Sequence, residues 1–325
     1  MAQTGIGRRQ FFPICLKTER KPCPLFDFTL RNTAQTLAAN SPCWFWLTDG
    51  SYNICINGKR LLSYNPKILT ANECAQWKQR AAAGGLHAYE PEYYVVRLYE
   101  DVLAEALTYT WNNVSEMQHQ CLLNPTVYRM VSEECDDKLL FHEDKSLYDK
   151  CHPYCGQFGS GYMVLPEFRL WRYADEIYIY WNGNGKNPHG ISWFQHTGEA
   201  VFVMDAGAFL REVEDFHCRL INAMAERIGQ VQDYCTRHPD IPASAIFDYA
   251  FVAADHERRR QSLDKALRRK QSANPDFERD NLDAGIHLCQ LLAEYPHAVE
   301  LSVSLIFDVR IRPRFCQTQK SSLHF

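Results

Sequence analysis

Trp44-Phe45-Trp46-Leu47-Thr48-Asp49-Gly50-Ser51-Tyr52-Asn53-Ile54-Cys55-Ile56-Asn57-Gly58-Lys59-Arg60-Leu61-Leu62-Ser63-Tyr64 is the stretch whose reading decides the fold class. Asp-Gly and Asn-Gly each stand between aromatic or β-branched runs, and both dipeptides tolerate positive φ, which makes them strong hairpin signals. The expectation is a three-stranded antiparallel meander over residues 44–64, with turns at Asp49-Gly50 and Asn57-Gly58.

A second set of strands follows the same logic over residues 168–173, 177–181, 191–195 and 200–204. Ala174-Asp175, a Gly/Asn-rich loop and Thr197-Gly198 separate them. Ile177, Ile179 and Trp181 alternate with Tyr178 and Tyr180, giving one apolar face and one aromatic, partly polar face. If both meanders pair, they form one sheet of about six or seven strands.

The helices read from a different period. Tyr94, Val95, Leu98, Val102, Leu103, Ala106 and Leu107 recur in steps of three and four across residues 91–110. Asp205 is a suitable N-cap for a long amphipathic helix on which Phe209, Val213, Phe216, Leu220, Met224, Ile228, Val231 and Tyr234 form the apolar stripe. That stripe reads as core rather than as a cofactor box. Residues 245–271 turn helical again, Asn274-Pro275 opens a further helix to Tyr295, and residues 301–311 alternate as a final strand. The fold class is therefore α+β, with antiparallel meander sheets packed against long helices. Residues 1–236 form the α+β core and residues 237–325 a mainly helical C-terminal extension packed on it.

Composition narrows the function classes. The chain has 325 residues, 46% of them apolar, and a formal net charge of -4, which gives no global field toward nucleic acid or an anionic membrane. Arg8 and Arg9 precede an apolar run that Pro13 breaks and Lys17 ends, so no signal-peptide core is expected, and no apolar stretch approaches the roughly 18 residues of a membrane span. Thirteen cysteines, an odd number in a chain of this size, point to free thiols in a reduced compartment. The expected location is the cytoplasm.

No catalytic residue is assigned. Cys151-His152-Pro153-Tyr154-Cys155 with His142 is the best metal candidate, but zinc sites generally use two close ligand pairs and only one is visible, so free thiols and no cofactor are expected. Asn182-Gly183-Asn184-Gly185-Lys186 is followed by Asn187-Pro188-His189-Gly190 and another strand rather than a helix, so it reads as a hairpin loop and not a phosphate cradle. His217 and Cys218 are neighbours on a helix and point about 100° apart, which does not suit a nucleophile and its base. Seven basic residues lie between Arg258 and Lys270, diluted by Glu257 and Asp264 and without stacking aromatics, which favours a solvated face over nucleic acid. The acidic groups Glu100-Asp101 with Glu105, Glu133-Glu134 with Asp136-Asp137, and Glu212 with Glu214-Asp215 read best as steering toward a basic partner.

Residues 44–56 with Gly58 and Leu62-Ser63-Tyr64, then Tyr93-Tyr94-Val95-Val96-Arg97-Leu98-Tyr99-Glu100-Asp101-Val102-Leu103, then Phe209 through Phe216 with Leu220, Met224 and Arg227, resemble an uncharacterised bacterial family. Its members read roughly WFxLTDGxYxI, YYVVRLWEDLL and FLxEVxxFxxxLxxxMxxRV. The resemblance spans about residues 43–230. This chain departs from it at Tyr99, where the family has Trp, and in its extension after residue 240. Such families often include immunity proteins of polymorphic toxin systems, and what the resemblance implies is a protein that binds a cognate toxin or effector domain. The surface expected to do so comprises Asp49, Glu100, Asp101, Glu105, Lys186, His189, Glu212 and Asp215, with exposed hairpin loops around Asp49-Gly50 and residues 182–190. The alternatives are a hydrolase that reverses a toxin's modification, with Asp49, Glu100, Asp101 and His189 as its polar group, and a nucleic-acid-binding module using residues 258–270.

Overall fold

The structure, a computed structural model, describes residues 23–34, 36, 43–107, 110–111, 113–114, 116–130, 164–237, 249–269 and 301–302. It is α+β, and its strands form two four-stranded sheets rather than one. The first contains β1 (Phe26–Leu30), β2 (Asp49–Ile56), β3 (Lys59–Arg60) and, against the other end of β2, β4 (Glu92–Tyr94). The second is built in the order β5 (Glu167–Tyr173), β6 (Glu176–Asn182), β7 (Glu199–Asp205), with β8 (Leu301–Ser302) parallel to β7.

Of the two turn signals in the first sheet, only Asn57-Gly58 makes a turn. Both residues have positive φ, 53° and 73°, as the tight turn between β2 and β3 requires. Asp49-Gly50 instead lies inside β2, where Gly50 pairs with Leu30 on one side and Tyr93 on the other. A Cβ on Gly50 would come within 2.3 Å of the Thr29 carbonyl oxygen, so the glycine serves close backbone approach and not a turn. The strand expected before it is replaced by a 3-10 turn, Trp46–Thr48, and the missing partner is β1, whose Phe26-Asp27-Phe28-Thr29-Leu30 alternation pairs with residues 50–54.

α1 (Ala71–Gly84) opens with a capping box between Thr70 and Glu73. The helix expected over residues 91–110 begins later, because Tyr94 belongs to β4. It runs as α2 (Val95–Glu100) and continues as a π-helical segment, Asp101–Ala106. α3 (Glu116–Leu123) precedes the second sheet. After β7 comes α4 (Ala206–Arg237), where the Asp205 carboxylate accepts from the Ala208 backbone N–H at 2.8 Å, as an N-cap should. The basic segment forms two helices, α5 (Tyr249–Arg260) and α6 (Ser262–Arg269). The helix expected from Asn274-Pro275 to Tyr295 and the rest of the 301–311 strand lie outside the described residues.

Phe209, Val213, Phe216, Leu220, Met224, Ile228 and Val231 of α4 are buried in one core. They meet Phe26, Tyr52, Ile54 and Ile56 of the first sheet, Ile177, Ile179 and Trp181 of the second, and Val95, Leu98 and Tyr99 of α2. The opposite face of β6 is buried too. Tyr178 and Tyr180 join Trp171, Leu122, Val127 and Tyr128 in a second core, so the face read as partly polar is aromatic and covered. Among the described residues, no helix is long and apolar enough to cross a membrane.

Candidate functional site

The three segments that carry the family resemblance meet in space. Thr48 Oγ1 accepts from the Val96 backbone N–H at 3.3 Å, Asp49 pairs with Tyr94 across the β2–β4 ladder, and Arg227 Nη1 donates to the Leu47 carbonyl at 2.6 Å. Arg227 also donates to the Arg31 carbonyl, and its burial lowers the guanidinium pKa to about 10. These contacts are internal, so the signature records how the first sheet is locked to α4.

β2 is buried on both faces. Tyr52, Ile54 and Ile56 enter the core, while Ser51, Asn53 and Cys55 face a band of polar groups. Within that band, Glu90 accepts from Asn53 Nδ2 at 3.3 Å, from Ser51 Oγ at 3.4 Å and from Arg60 Nε. Arg60 Nη1 also reaches Asp27 Oδ2 at 2.7 Å. Further along the band, Arg31 bridges Asp49 at 2.8 Å and Glu92 at 2.7 Å. Each of these two arginines thus holds two carboxylates, an arrangement that suits a half-buried sheet face because the charges are compensated in place. Asp49 is consequently a strand residue in an internal ion pair and not the tip of an exposed loop.

Of the other sequence-predicted acidic residues, Glu133, Glu134, Asp136 and Asp137 lie outside the described residues, while Glu100, Glu212 and Asp215 are engaged. Glu100 is held by Arg97 at 3.1 Å and Arg259 at 2.9 Å, Glu212 accepts from the Leu25 backbone N–H at 2.8 Å, and Asp215 pairs with Arg219 at 2.6 Å. Asp101 lies half-buried in the π-helical segment, and the side chain of Glu105 falls outside the described residues. On the basic helices, Arg258 pairs with Asp255, Arg260 with Glu257, and Arg259 lies over the Trp44 ring, 4.4 Å from its centroid. Of the seven basic residues, Arg258, Arg259 and Arg260 are thus paired with carboxylates. His217 is buried with Nδ1 2.8 Å from the Tyr99 hydroxyl while Cys218 is exposed, as their helical offset requires.

Lys186 and His189 occupy a different setting, the excursion of residues 183–198 between β6 and β7. The Ile191–Gln195 segment is not a continuous strand but makes isolated bridges, Ser192 with Lys186 and Phe194 with Tyr64, and its backbone bonds are divided between the loop and residues 63–65. Asn187 Oδ1 accepts from His189 N and Ile191 N, both at 3.0 Å, Asn184 Oδ1 accepts from Gly198 N at 2.9 Å, and Gly183 N donates to Gly198 O at 2.9 Å. Its inner edge is tied to the segment that follows β3 through Asn65 N to Trp193 O and Gln195 N to Ser63 O, both 2.8 Å. Phe194 is buried and stacks on Tyr64. Asn184, Lys186, Pro188 and His189 are left exposed on a braced frame. No hydrogen bond or ion pair among the described residues joins His189 to Asp49 or Glu100.

Cys151, Cys155 and His142 lie outside the described residues. The described residues do contain one cluster with metal-ligating atoms, Cys23, Asp27 and Cys55, all within 4.8 Å of one another. The Arg60 guanidinium contacts the Cys23 sulfur and the Asp27 carboxylate that a cation would use, and so opposes a metal there. The cluster was not legible as a motif because its members are brought together by the β1–β2 pairing. The alternation of residues 26–30, with Cys23 just before it, is the signal that could have exposed it.

No curated protein and no solved structure matches the chain. One family does, over residues 25–285, a wider span than the three motifs cover, since it takes in β1 at one end and both α5 and α6 at the other. With that match embracing the first sheet, β5 to β7 of the second and the long helix, the chain belongs to DUF5984, a family of unknown function.

Proposed function

We propose that the protein is an immunity-type binding protein of the cytoplasm, which neutralises a cognate toxin domain by covering its active surface. The observation that carries this reading is the braced loop of residues 183–198. A loop whose backbone is already held by its own asparagine side chains loses little conformational freedom on binding, and preorganisation of this kind favours affinity. Lys186 and His189 are exposed and without an ion pair among the described residues, so they are available to acceptor groups of a partner. The pairing of Asp49, Glu100 and Glu212 with other groups of the chain moves the weight of recognition from the acidic helix faces to this loop. Cytoplasmic placement is supported by the thiols of Cys23, Cys43, Cys55 and Cys74.

The test is co-expression with a toxin domain encoded beside this chain, followed by co-purification. A complex that survives purification, and that is weakened about tenfold or more by Lys186→Ala with His189→Ala, supports the reading. Failure to form a complex with any neighbouring toxin would overturn it.

A further inference from the structure

The β1–β2 ladder brings two distant cysteines together. Cys55 N donates to Leu25 O at 2.8 Å, which places Cys23, two residues before Leu25, diagonally across from Cys55. Their sulfurs lie 2.7 Å apart and share a hydrogen bond. The pair is unequal. Cys55 is buried inside the sheet, while Cys23 is half-buried at the end of the ladder and open to small solutes. Arg60 Nη1 donates to the Cys23 sulfur at 3.5 Å, and Asp27 Oδ2 lies 3.6 Å from the same sulfur.

These surroundings separate nucleophile from resolving partner. The hydrogen bond with Cys55, helped by Arg60, pulls the Cys23 thiol below its ordinary range against burial and Asp27. The same hydrogen bond and burial push the Cys55 thiol up. A guanidinium beside a sulfur stabilises a thiolate but repels a metal cation, so the cluster suits redox chemistry better than ligation.

We propose that Cys23 and Cys55 are a hydroperoxide-oxidisable dithiol, with Cys23 as the attacked and Cys55 as the resolving sulfur. The Cys23 thiolate attacks the terminal oxygen of a hydroperoxide. The O–O bond breaks, Cys23 becomes a sulfenic acid, and the other oxygen leaves as the alcohol, or as water from hydrogen peroxide, after taking a proton. The Cys55 sulfur then displaces the sulfenic hydroxyl, which departs as water with the Cys55 proton. Two thiols are oxidised to one disulfide and one peroxide is reduced. The bond staples the chain ahead of β1 to β2 and leaves Arg60 to Asp27 and Glu90 alone. A small-molecule dithiol reverses it. This inference is independent of toxin binding and stands or falls separately from it.

The experiment uses the full chain, reduced, desalted and treated with one equivalent of hydrogen peroxide. Remaining thiols are then alkylated under denaturing conditions and the peptides analysed by mass spectrometry. The expected product is a cross-linked pair carrying Cys23 and Cys55, lighter by two hydrogens than the free peptides and lost on reduction. In Cys55→Ser, Cys23 should instead be captured as a sulfenic acid by dimedone. Equal alkylation of Cys23 and Cys55 before and after peroxide would overturn the proposal. So would a disulfide joining Cys23 to any other cysteine, or a zinc ion retained by these two residues in the purified protein.

Discussion

Arg227 reaches from the middle of α4 to the 3-10 turn before β2, where its Nη1 donates to the carbonyl oxygen of Leu47 at 2.6 Å. Both partners are buried, Leu47 completely, so this carbonyl has no water to turn to if the guanidinium is removed. Arg227→Met keeps much of the side-chain volume but strands the Leu47 and Arg31 carbonyls. The expected loss is about 2–3 kcal/mol in urea unfolding, in the range for hydrogen bonds to charged groups. A loss below about 0.5 kcal/mol would mean that the turn does not depend on this contact.

Gly50 and Gly58 give a matched pair. Gly50→Ala drives a methyl into the Thr29 backbone, which cannot swing aside, and should cost about 3 kcal/mol or more. Gly58→Ala meets nothing within 4 Å and bears only the left-handed backbone at φ 73°, about 1 kcal/mol. Thermal melts of the two variants should therefore rank Gly50→Ala well below Gly58→Ala.

Glu90 is 2% exposed and receives Arg60, Asn53 and Ser51. Glu90→Gln removes the charge from a site still facing a guanidinium, and its amide adds donors where donors already point. The expected destabilisation is about 2–3 kcal/mol, less than for a fully buried ion pair because Arg60 retains Asp27 and is partly exposed. Asp215→Asn, which loses only an exposed helical pair with Arg219, should change stability by about 0.5 kcal/mol or less in the same assay.

Acid should weaken the fold before the carboxylates titrate. Burial lowers the pKa values of His119, His217 and His256. Two of these rings accept from an indole at Nδ1, His119 from Trp171 at 3.1 Å and His256 from Trp44 at 3.3 Å, and an indole can only donate. With folded pKa values below the unfolded one of about 6.5, the unfolded chain binds more protons, so stability is complete above that pH and falls as pH drops through the folded values. Urea midpoints at pH 7.5 and 5.5 should show the decline, and near-UV circular dichroism should follow it at the tryptophans.

The parts of the fold visible in the sequence are those set by local rules. The apolar stripe and N-cap of α4 depend only on helical period and Asp205, and the Asn57-Gly58 turn depends only on positive φ. Asp49-Gly50 misled because a glycine required for close strand approach has the same spelling as one required for a turn. Residues 191–195 misled because alternation does not reveal that Asn187 holds Ile191 N and that Trp193 O and Gln195 N bond to residues 63–65. The Cys23, Asp27, Cys55 and Arg60 cluster arises from pairing between β1 and strands that follow far along the chain, and no local pattern encodes it. Exposure of Lys186 and His189 was legible, whereas the engagement of the acidic groups depended on partners such as Arg31 and Arg259 that only tertiary packing supplies.

The most direct measurement is calorimetric titration of the purified chain with the toxin domain encoded beside it, using wild type and the Lys186→Ala, His189→Ala double variant. Stoichiometric binding by the wild type is expected, with affinity about tenfold or more weaker for a variant that melts at the same temperature. No heat of binding with the wild type, or equal affinity for both proteins, would contradict recognition through the 183–198 loop.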